Sequence, residues 1–335
     1  MKALVIEAHG GDEVLQLRTD FPDPKAGDGQ VVVRVRATSL NYHDVFTRRG
    51  MPGIKLHFPV IMGLDVAGEI AEIGPGVDGW QVGDRVLVDP INRVQGGLVG
   101  ETVHGGLAER CVVYAHQLLR IPPAVSFDAA AALPVAFGTA HRMMLTRGRV
   151  KAGERVLVLG ASGGVGVCCV MLAKLCGAEV IACASSAPKL ARLRELGADH
   201  VVNYQEEDFV AWVHGKFGKP HRRKQGAGVD VVVNFTGGDT WVKSLRVATR
   251  GGRVLTCGAT AGFDPKEDLR FIWSFELDIL GSNGWDRSDL EALLDLVASG
   301  RMAVPIDQRF TLEETGAALR ALEERRVLGK LIVTP

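Results

Sequence analysis

Val156 to Lys174, VLVLGASGGVGVCCVMLAK, constrains this chain more than any other stretch. Its four opening apolar residues, Val156-Leu157-Val158-Leu159, suit a buried parallel strand. The turn Gly160-Ala161-Ser162-Gly163-Gly164-Val165-Gly166 follows, then a run with helical character that stops at Gly177, where a left-handed residue suits a helix end. Strand, glycine turn and helix form the first half of a unit that binds a dinucleotide pyrophosphate. Small residues let the backbone approach the phosphates, and the helix N-terminus presents free N–H groups and a partial positive charge. Glycine turns are common, so the pattern gains its weight from the flanking strand and helix and from a second strand at Glu179–Ala184. Gly160, Ser162, Gly163, Gly164, Val165 and Gly166 are therefore candidate cofactor-binding residues.

At 335 residues the chain is long for one domain. Residues 1–122 read as mostly β: Lys2–Glu7, Gln30–Ala37, Gly68–Ile73, Arg85–Asp89 and the start of a strand at Gly105–Val113, with turn clusters such as Gly74-Pro75-Gly76 between them. From Ser126 the pattern changes. An Ala-rich helical run, Ser126–Met144, has Ser126 as N-cap. Strands and helices then alternate through Glu179–Ala184, Ala187–Leu196, His200–Asn203, Glu207–His214, Val229–Phe235 and Arg253–Cys257, which implies an α/β, doubly wound parallel sheet. An apolar stretch at Phe271–Leu280, an amphipathic helix at Ser288–Ser299, a helix from Thr311 to about Arg325 and a strand at Lys330–Val333 complete the chain.

Charge excludes several classes of partner. Lys plus Arg is 39 and Asp plus Glu is 39, so no global field favours nucleic acid or an anionic membrane. The longest apolar run, Ala129–Ala140, is too short to span a bilayer. Six cysteines without C-x2-C spacing read as buried thiols of a reducing compartment, and a soluble cytoplasmic protein is expected. The basic segment His214–Lys224, HGKFGKPHRRK, reads as an anion-binding loop or, preferably, as a solvated loop between helix and strand.

Four motifs together resemble the medium-chain dehydrogenase/reductase superfamily, and the resemblance covers essentially the whole chain. They are Gly63-Leu64-Asp65-Val66-Ala67-Gly68; the glycine turn itself; Leu196-Gly197-Ala198-Asp199 with Val202-Asn203-Tyr204; and Arg326-Val327-Leu328-Gly329-Lys330-Leu331-Ile332-Val333. The resemblance implies a Rossmann domain at 123–267, a GroES-like β-rich substrate domain at 1–122, and a C-terminal segment, 268–335, that returns to the substrate domain. It also implies a cleft between the domains and a homodimer or homotetramer.

Departures from the family pattern direct the chemistry. Zinc alcohol dehydrogenases bind their catalytic metal through Cys, His and Cys; the matching positions here are Asn41, Leu64 and Val135. Leucine and valine have no donor atom, and no cysteine lies between Val88 and Arg110 to build the structural zinc loop. A rival metal site would need the scattered residues His43, Asp65 and His104; no metal is expected. Without a Lewis acid, the feasible reaction is hydride delivery to an already electrophilic acceptor. Asn41-x-x-Asp44 with Arg49-Gly50 resembles the corresponding segment of the zinc-free NADPH:quinone oxidoreductase branch. That resemblance implies that Asn41 offers its amide to the substrate oxygen or a bound water. Asp44 is either catalytic or an anchor of its loop. His43 could protonate the enolate, since an unperturbed imidazole titrates at about 6.5; a lone histidine is more often a satisfied structural group, and Tyr42 is similarly open. Enoyl-thioester reductases of the superfamily carry a tyrosine just after this segment; Gly50-Met51-Pro52-Gly53 lacks one, which argues against that activity.

The second strand ends Ala182-Cys183-Ala184-Ser185-Ser186-Ala187-Pro188-Lys189. NAD-specific units place an acid there, at Ala184 in this chain, for the ribose hydroxyls. Ser185, Ser186 and Lys189 suit a 2′-phosphate instead, and Tyr204 matches a family residue beside it, so NADPH is expected. By resemblance Thr139 lies near the nicotinamide carboxamide, and Cys257, Gly258 and Ala259 contact the same end. Asn234, at another strand's carboxyl end, is a cofactor contact by position or a core residue. The expected function is an NADPH-dependent, zinc-independent reductase of a small quinone or α,β-unsaturated carbonyl. An alcohol dehydrogenase of the same superfamily and a non-catalytic NADPH-binding protein are the alternatives.

Overall fold

The computed structural model describes residues 1–335. The chain divides into two compact units, Met1–Ala136 with Arg287–Pro335, and Phe137–Asp286. These boundaries differ from the breaks after 122 and 267 that the resemblance implies. At the first break, the helix Phe127–Ala131, capped by Ser126 Oγ accepting from Ala129 N–H at 3.2 Å, packs on the strand Gln30–Leu40 and so stays with the first unit. At the second, the strand Asp278–Gly281 pairs with Ala248–Thr256, which keeps the chain in the second unit to Asp286.

The second unit is built on six parallel strands: Arg155–Val158, Glu179–Ala184, His200–Asn203, Val229–Val233, Ala248–Thr256 and Asp278–Gly281. Numbered in that order, they lie side by side as 3-2-1-4-5-6. The order reverses between strands 1 and 4, the point at which such sheets bind dinucleotides. Helices cover both faces, so Val156, Leu157, Val158, Val180, Ile181, Val231, Val232 and Val254 are wholly buried, as their unbroken Val/Ile/Leu runs require. The apolar stretch Phe271–Leu280 resolves into the helix Leu269–Phe275 and the sixth strand, separated by Glu276 in a left-handed conformation.

In the first unit one sheet runs Ile306–Thr311, Lys330–Thr334, Gln30–Leu40, Asp65–Ile73, Arg85–Val88, Leu118–Arg120, with Arg110–Tyr114 also paired to Gln30–Leu40. A second joins Gln16–Arg18, Ala3–Ile6 and Val60–Ile61. The C-terminal strand is therefore an internal member of the sheet, with Leu331, Ile332 and Val333 opposite Leu40, Ser39 and Thr38. Two elements carry little sequence signal. The strand Ile306–Thr311 is mostly exposed. The helix Tyr42–Arg49, YHDVFTRR, has no clear apolar stripe; it starts because the Asp44 carboxylate accepts the Asn41 N–H at 2.8 Å and ends at Gly50, whose φ is 80°.

Candidate functional site

The polar centre of the first unit is the Asp65 carboxylate, fully buried at the head of the strand Asp65–Ile73. One oxygen, Oδ2, accepts from Ser39 Oγ at 2.6 Å and Asn41 Nδ2 at 2.8 Å, and faces Lys330 Nζ at 3.5 Å; Oδ1 accepts from Val135 N–H at 3.0 Å. Lys330 is buried too, and its ammonium donates to Asn41 Oδ1 at 2.5 Å and Leu40 O at 3.0 Å. Strand geometry explains the meeting: Leu331 lies opposite Leu40, so the preceding lysine reaches the point where that strand enters the helix Tyr42–Arg49. Burial pulls the Lys330 amine below its ordinary value, against the opposing pull of Asp65 and Asp44.

Asn41 thus has both ends of its amide engaged by protein, and it is 6% exposed. Asp44 is fully buried; one oxygen holds the Asn41 N–H and the other has no partner. Burial raises its carboxyl to about 6, with the nearby Asp65 charge adding to the rise. His43 points elsewhere. Its Nε2 meets Glu101 Oε2 at 2.6 Å, and a third of its side chain is exposed. Burial pulls the imidazole down, but the Glu101 hydrogen bond and the charges of Asp44 and Glu101 outweigh it, and the net shift is upward. Tyr42 packs edge-on against Phe46.

These three positions, Asn41, Leu64 and Val135, converge on Asp65 without offering a zinc donor set. Leu64 is a buried hydrocarbon, Val135 contributes only its N–H, and Asn41 is taken by Lys330 and Asp65. Zinc does not fit here. His104 sits apart, its Nδ1 accepting from Ile61 N–H at 3.2 Å, and no three His, Cys, Asp or Glu side chains gather to hold a metal ion.

In the second unit the glycine turn joins the strand Arg155–Val158 to the helix Gly164–Leu175. Gly160 has a φ of 63°, in the left-handed region. A Cβ on Gly166 would lie 2.4 Å from Gly160 O and 2.6 Å from Ala161 Cα, so packing of the helix against the turn demands glycine there. Gly163 differs. Its extended backbone, φ −78° and ψ 170°, suits any residue, and a Cβ would meet only Gly160 O at 3.8 Å. Neither conformation nor packing in the fold requires that glycine, which stands in front of the helix Gly164–Leu175. The N–H groups of Gly164, Val165 and Gly166 open that helix and have no acceptor within it, while Ser162 stands half-buried beside them.

Ala184 ends the second strand opposite Asn203, and Tyr204 N–H donates to Ala184 O at 3.2 Å, so Ser185 and Tyr204 stand at neighbouring strand ends. Tyr204 is 42% exposed; Ser185, Ser186 and Lys189 are partly exposed around the start of the helix Ala187–Glu195. Thr139 is half-buried in a helical run that widens to π-helical turns on both sides, Leu133–Gly138 and Arg142–Arg147, a distortion frequent at functional sites. Cys257, Gly258 and Ala259 follow the fifth strand, in a loop tied to the one after the fourth by Gly238 N–H to Gly262 O at 2.9 Å and Ala261 N–H to Thr236 O at 2.7 Å. Burial pushes the Cys257 thiol up to about 12, so it is no thiolate. Asn234 belongs to the core. It is wholly buried, its Oδ1 accepts from the Thr236 and Gly237 N–H groups, and its Nδ2 donates to Thr240 and Ser244, which favours the core role over a side-chain cofactor contact, the two readings its position left open. Glu101 carried no signal in the sequence, since it sits in a glycine-rich loop; Lys330 did, as a lone charge in an otherwise apolar strand.

Comparison with known proteins agrees with this architecture. Residues 27–123 match the alcohol dehydrogenase GroES-like domain and residues 164–299 the zinc-binding dehydrogenase model. The chain is 31% identical to crotonyl-CoA reductase of Streptomyces collinus, over 93% of this chain and 80% of that protein. It is 32% identical to quinone oxidoreductase of Lama guanicoe, over 77% and 73%. Among solved structures, an NAD-dependent alcohol dehydrogenase superposes with a TM-score of 0.93 at 35% identity, covering 100% of both chains. The 2-octenoyl-CoA carboxylase reductase CinF, solved with NADP and 2-octenoyl-CoA, gives 0.87 at 28%, covering 99% of this chain and 87% of that one. The chain belongs to the medium-chain dehydrogenase/reductase superfamily. Within that superfamily it is an oxidoreductase. The likeness to a crotonyl-CoA reductase runs against the expectation that the missing tyrosine after Arg49-Gly50 sets thioester reduction aside. No helix is long and apolar enough to cross a membrane.

Proposed function

We propose that the chain is an NADPH-dependent, zinc-independent reductase of small α,β-unsaturated carbonyl compounds or quinones, with enoyl thioesters among the candidate acceptors. The observation that carries the cofactor is Gly163, a glycine that the fold itself does not require, in front of a helix N-terminus. Ala184 in place of an acid, with Ser185, Ser186, Lys189 and Tyr204 around it, favours the 2′-phosphate. When bound, the reduced dinucleotide supplies the hydride. The chain's own residues hold the pyrophosphate on the Gly164, Val165 and Gly166 N–H groups and supply a proton to the anion formed on the acceptor. For that proton the partly exposed His43 is better placed than Asn41 or Asp44, which are buried and engaged. Asn41 and Asp44 instead shape the helix that carries His43.

The acceptor class rests on the donor set at Asn41, Leu64 and Val135, which leaves no Lewis acid to polarise a simple ketone. The crotonyl-CoA and quinone reductase relatives support it. A second reading, an NAD-linked alcohol dehydrogenase, is supported by the likeness, at a TM-score of 0.93, to an NAD-dependent alcohol dehydrogenase. Oxidation of NADPH and NADH, each followed with benzoquinone, an enone, crotonyl-CoA and a simple aldehyde, separates the readings. Reduction of one of the first three with NADPH is expected; turnover only of the aldehyde, or a preference for NADH, would reject the proposal.

We also propose a homodimer formed through the strand Asp278–Gly281, which pairs on one side only, beside the helix Leu269–Phe275 with Leu269 60%, Trp273 65% and Phe263 87% exposed. Sedimentation of the wild-type chain as a monomer would reject it.

A further inference from the structure

His43 and Glu101 form a pair within the first unit. Glu101 lies in the glycine-rich loop 96–106, far in sequence from the helix Tyr42–Arg49, and its carboxylate is mostly buried while His43 keeps a third of its surface exposed. The contact uses Nε2 at 2.6 Å. A carboxylate can only accept, so Nε2 carries the hydrogen, and Nδ1 is the nitrogen left to bind or release a proton. The charged groups acting on the ring are Glu101 from the loop and Asp44 from the same helix. Asp44 in turn faces Asp65 and Lys330 from the two strands behind it.

We infer that Glu101 is the positioning residue for the reductase reaction: its hydrogen bond to Nε2 fixes the His43 ring, whose imidazolium form donates its Nδ1 proton to the reduced acceptor. The inference rests on the reductase reading proposed above. Hydride addition at the β-carbon of an enone leaves an enolate, one proton short of product at the α-carbon; a quinone leaves a phenolate. The His43 Nδ1–H bond breaks, a C–H or O–H bond forms on the acceptor, and the electron pair of the broken bond stays on Nδ1. The neutral imidazole, still held at Nε2 by Glu101, regains its proton from solvent. The Glu101 carboxylate stabilises the cation against the pull of burial, and the net shift is upward.

The test is Glu101→Gln, which keeps an oxygen to accept from Nε2–H and removes the charge. The His43 ring protons are titrated by NMR in the protein without cofactor, assigned by their loss in His43→Asn. The pH dependence of kcat is measured in parallel on whichever acceptor the wild type reduces. Glu101→Gln should lower the His43 midpoint by about one pH unit or more. The alkaline limb of kcat, where the acid is lost, should move to lower pH by the same amount while KM for NADPH is unchanged. Glu101→Asp, which keeps the charge, should restore most of the shift. An unmoved His43 midpoint overturns the inference, as does a midpoint that moves without the rate profile. Failure of the wild type to reduce any acceptor rejects the reductase reading and the proton-donor role together, and the NMR titration then still reports whether the pair is coupled.

Discussion

Asp44 sets the pH dependence expected of the first unit. Its carboxyl is raised to about 6 by burial, above the 3.8 of an unfolded aspartate. A raised acid favours the folded state while it is protonated, so its contribution is fully present below about pH 4 and is lost as pH climbs through 6. By neutral pH the folded protein carries a buried carboxylate, at a cost of about 3 kcal/mol relative to a group with unshifted affinity. Asp44→Asn keeps an oxygen for the Asn41 N–H. Its urea midpoint should be nearly flat between pH 4 and 7 where the wild type declines, and higher than wild type at pH 7.5. Lys330 should respond in the opposite sense. It is the one cation facing the Asp65 carboxylate in that buried cluster, and Lys330→Met leaves the carboxylate with neutral donors from Ser39, Asn41 and Val135 only. Breaking a buried pair from one side costs about 3 kcal/mol or more, and equilibrium urea unfolding at pH 7 should show that loss.

The two glycines of the nucleotide turn make a prediction about one element. Gly166→Ala drives a methyl to 2.4 Å from Gly160 O and should destabilise the second unit by about 2 kcal/mol, read as a lower melting temperature. Gly163→Ala meets nothing closer than 3.8 Å, so its stability should stay within about 1 kcal/mol of wild type. Its NADPH affinity should nevertheless fall by about tenfold or more, roughly 1.4 kcal/mol, in a fluorescence titration. Equal affinity in Gly163→Ala and wild type would remove the main support for pyrophosphate at this turn. Legibility follows the same physics. The glycine turn and its flanking strand and helix were readable because their residue types answer to local geometry and to burial on both faces of a sheet. The helix Tyr42–Arg49 was not, because only its capping by Asn41 and Asp44, and packing behind it, hold it together.

Across the whole molecule, the first unit is made from both ends of the chain. Lys330–Thr334 pairs with Gln30–Leu40, and the buried Arg48 joins Asp12 to Glu323. A chain truncated after Asp286 would lose two strands of that sheet and expose the edge of Gln30–Leu40 to pairing with other copies. Hydrogen exchange on the truncated chain should find the first unit unprotected, while the parallel sheet of Phe137–Asp286 keeps its protected strands. Comparable protection in both units would show that the C-terminal segment is dispensable.

The sequence by itself determined the doubly wound sheet, the glycine turn after its first strand, the lack of an acid at Ala184 and the lack of zinc donors at Leu64 and Val135, because each follows from residue type at a fixed spacing. Only the tertiary structure decided what the polar residues of the first unit do. Asn41, Asp44, Asp65 and Lys330 are drawn from three distant stretches, and burial gathers them into one polar network in which only one oxygen of Asp44 is left without a partner. His43, on the same short helix, faces outward to Glu101 instead. Which of these groups is free to exchange a proton depends on who its neighbour is, and neighbours so far apart in the chain leave no pattern in the sequence.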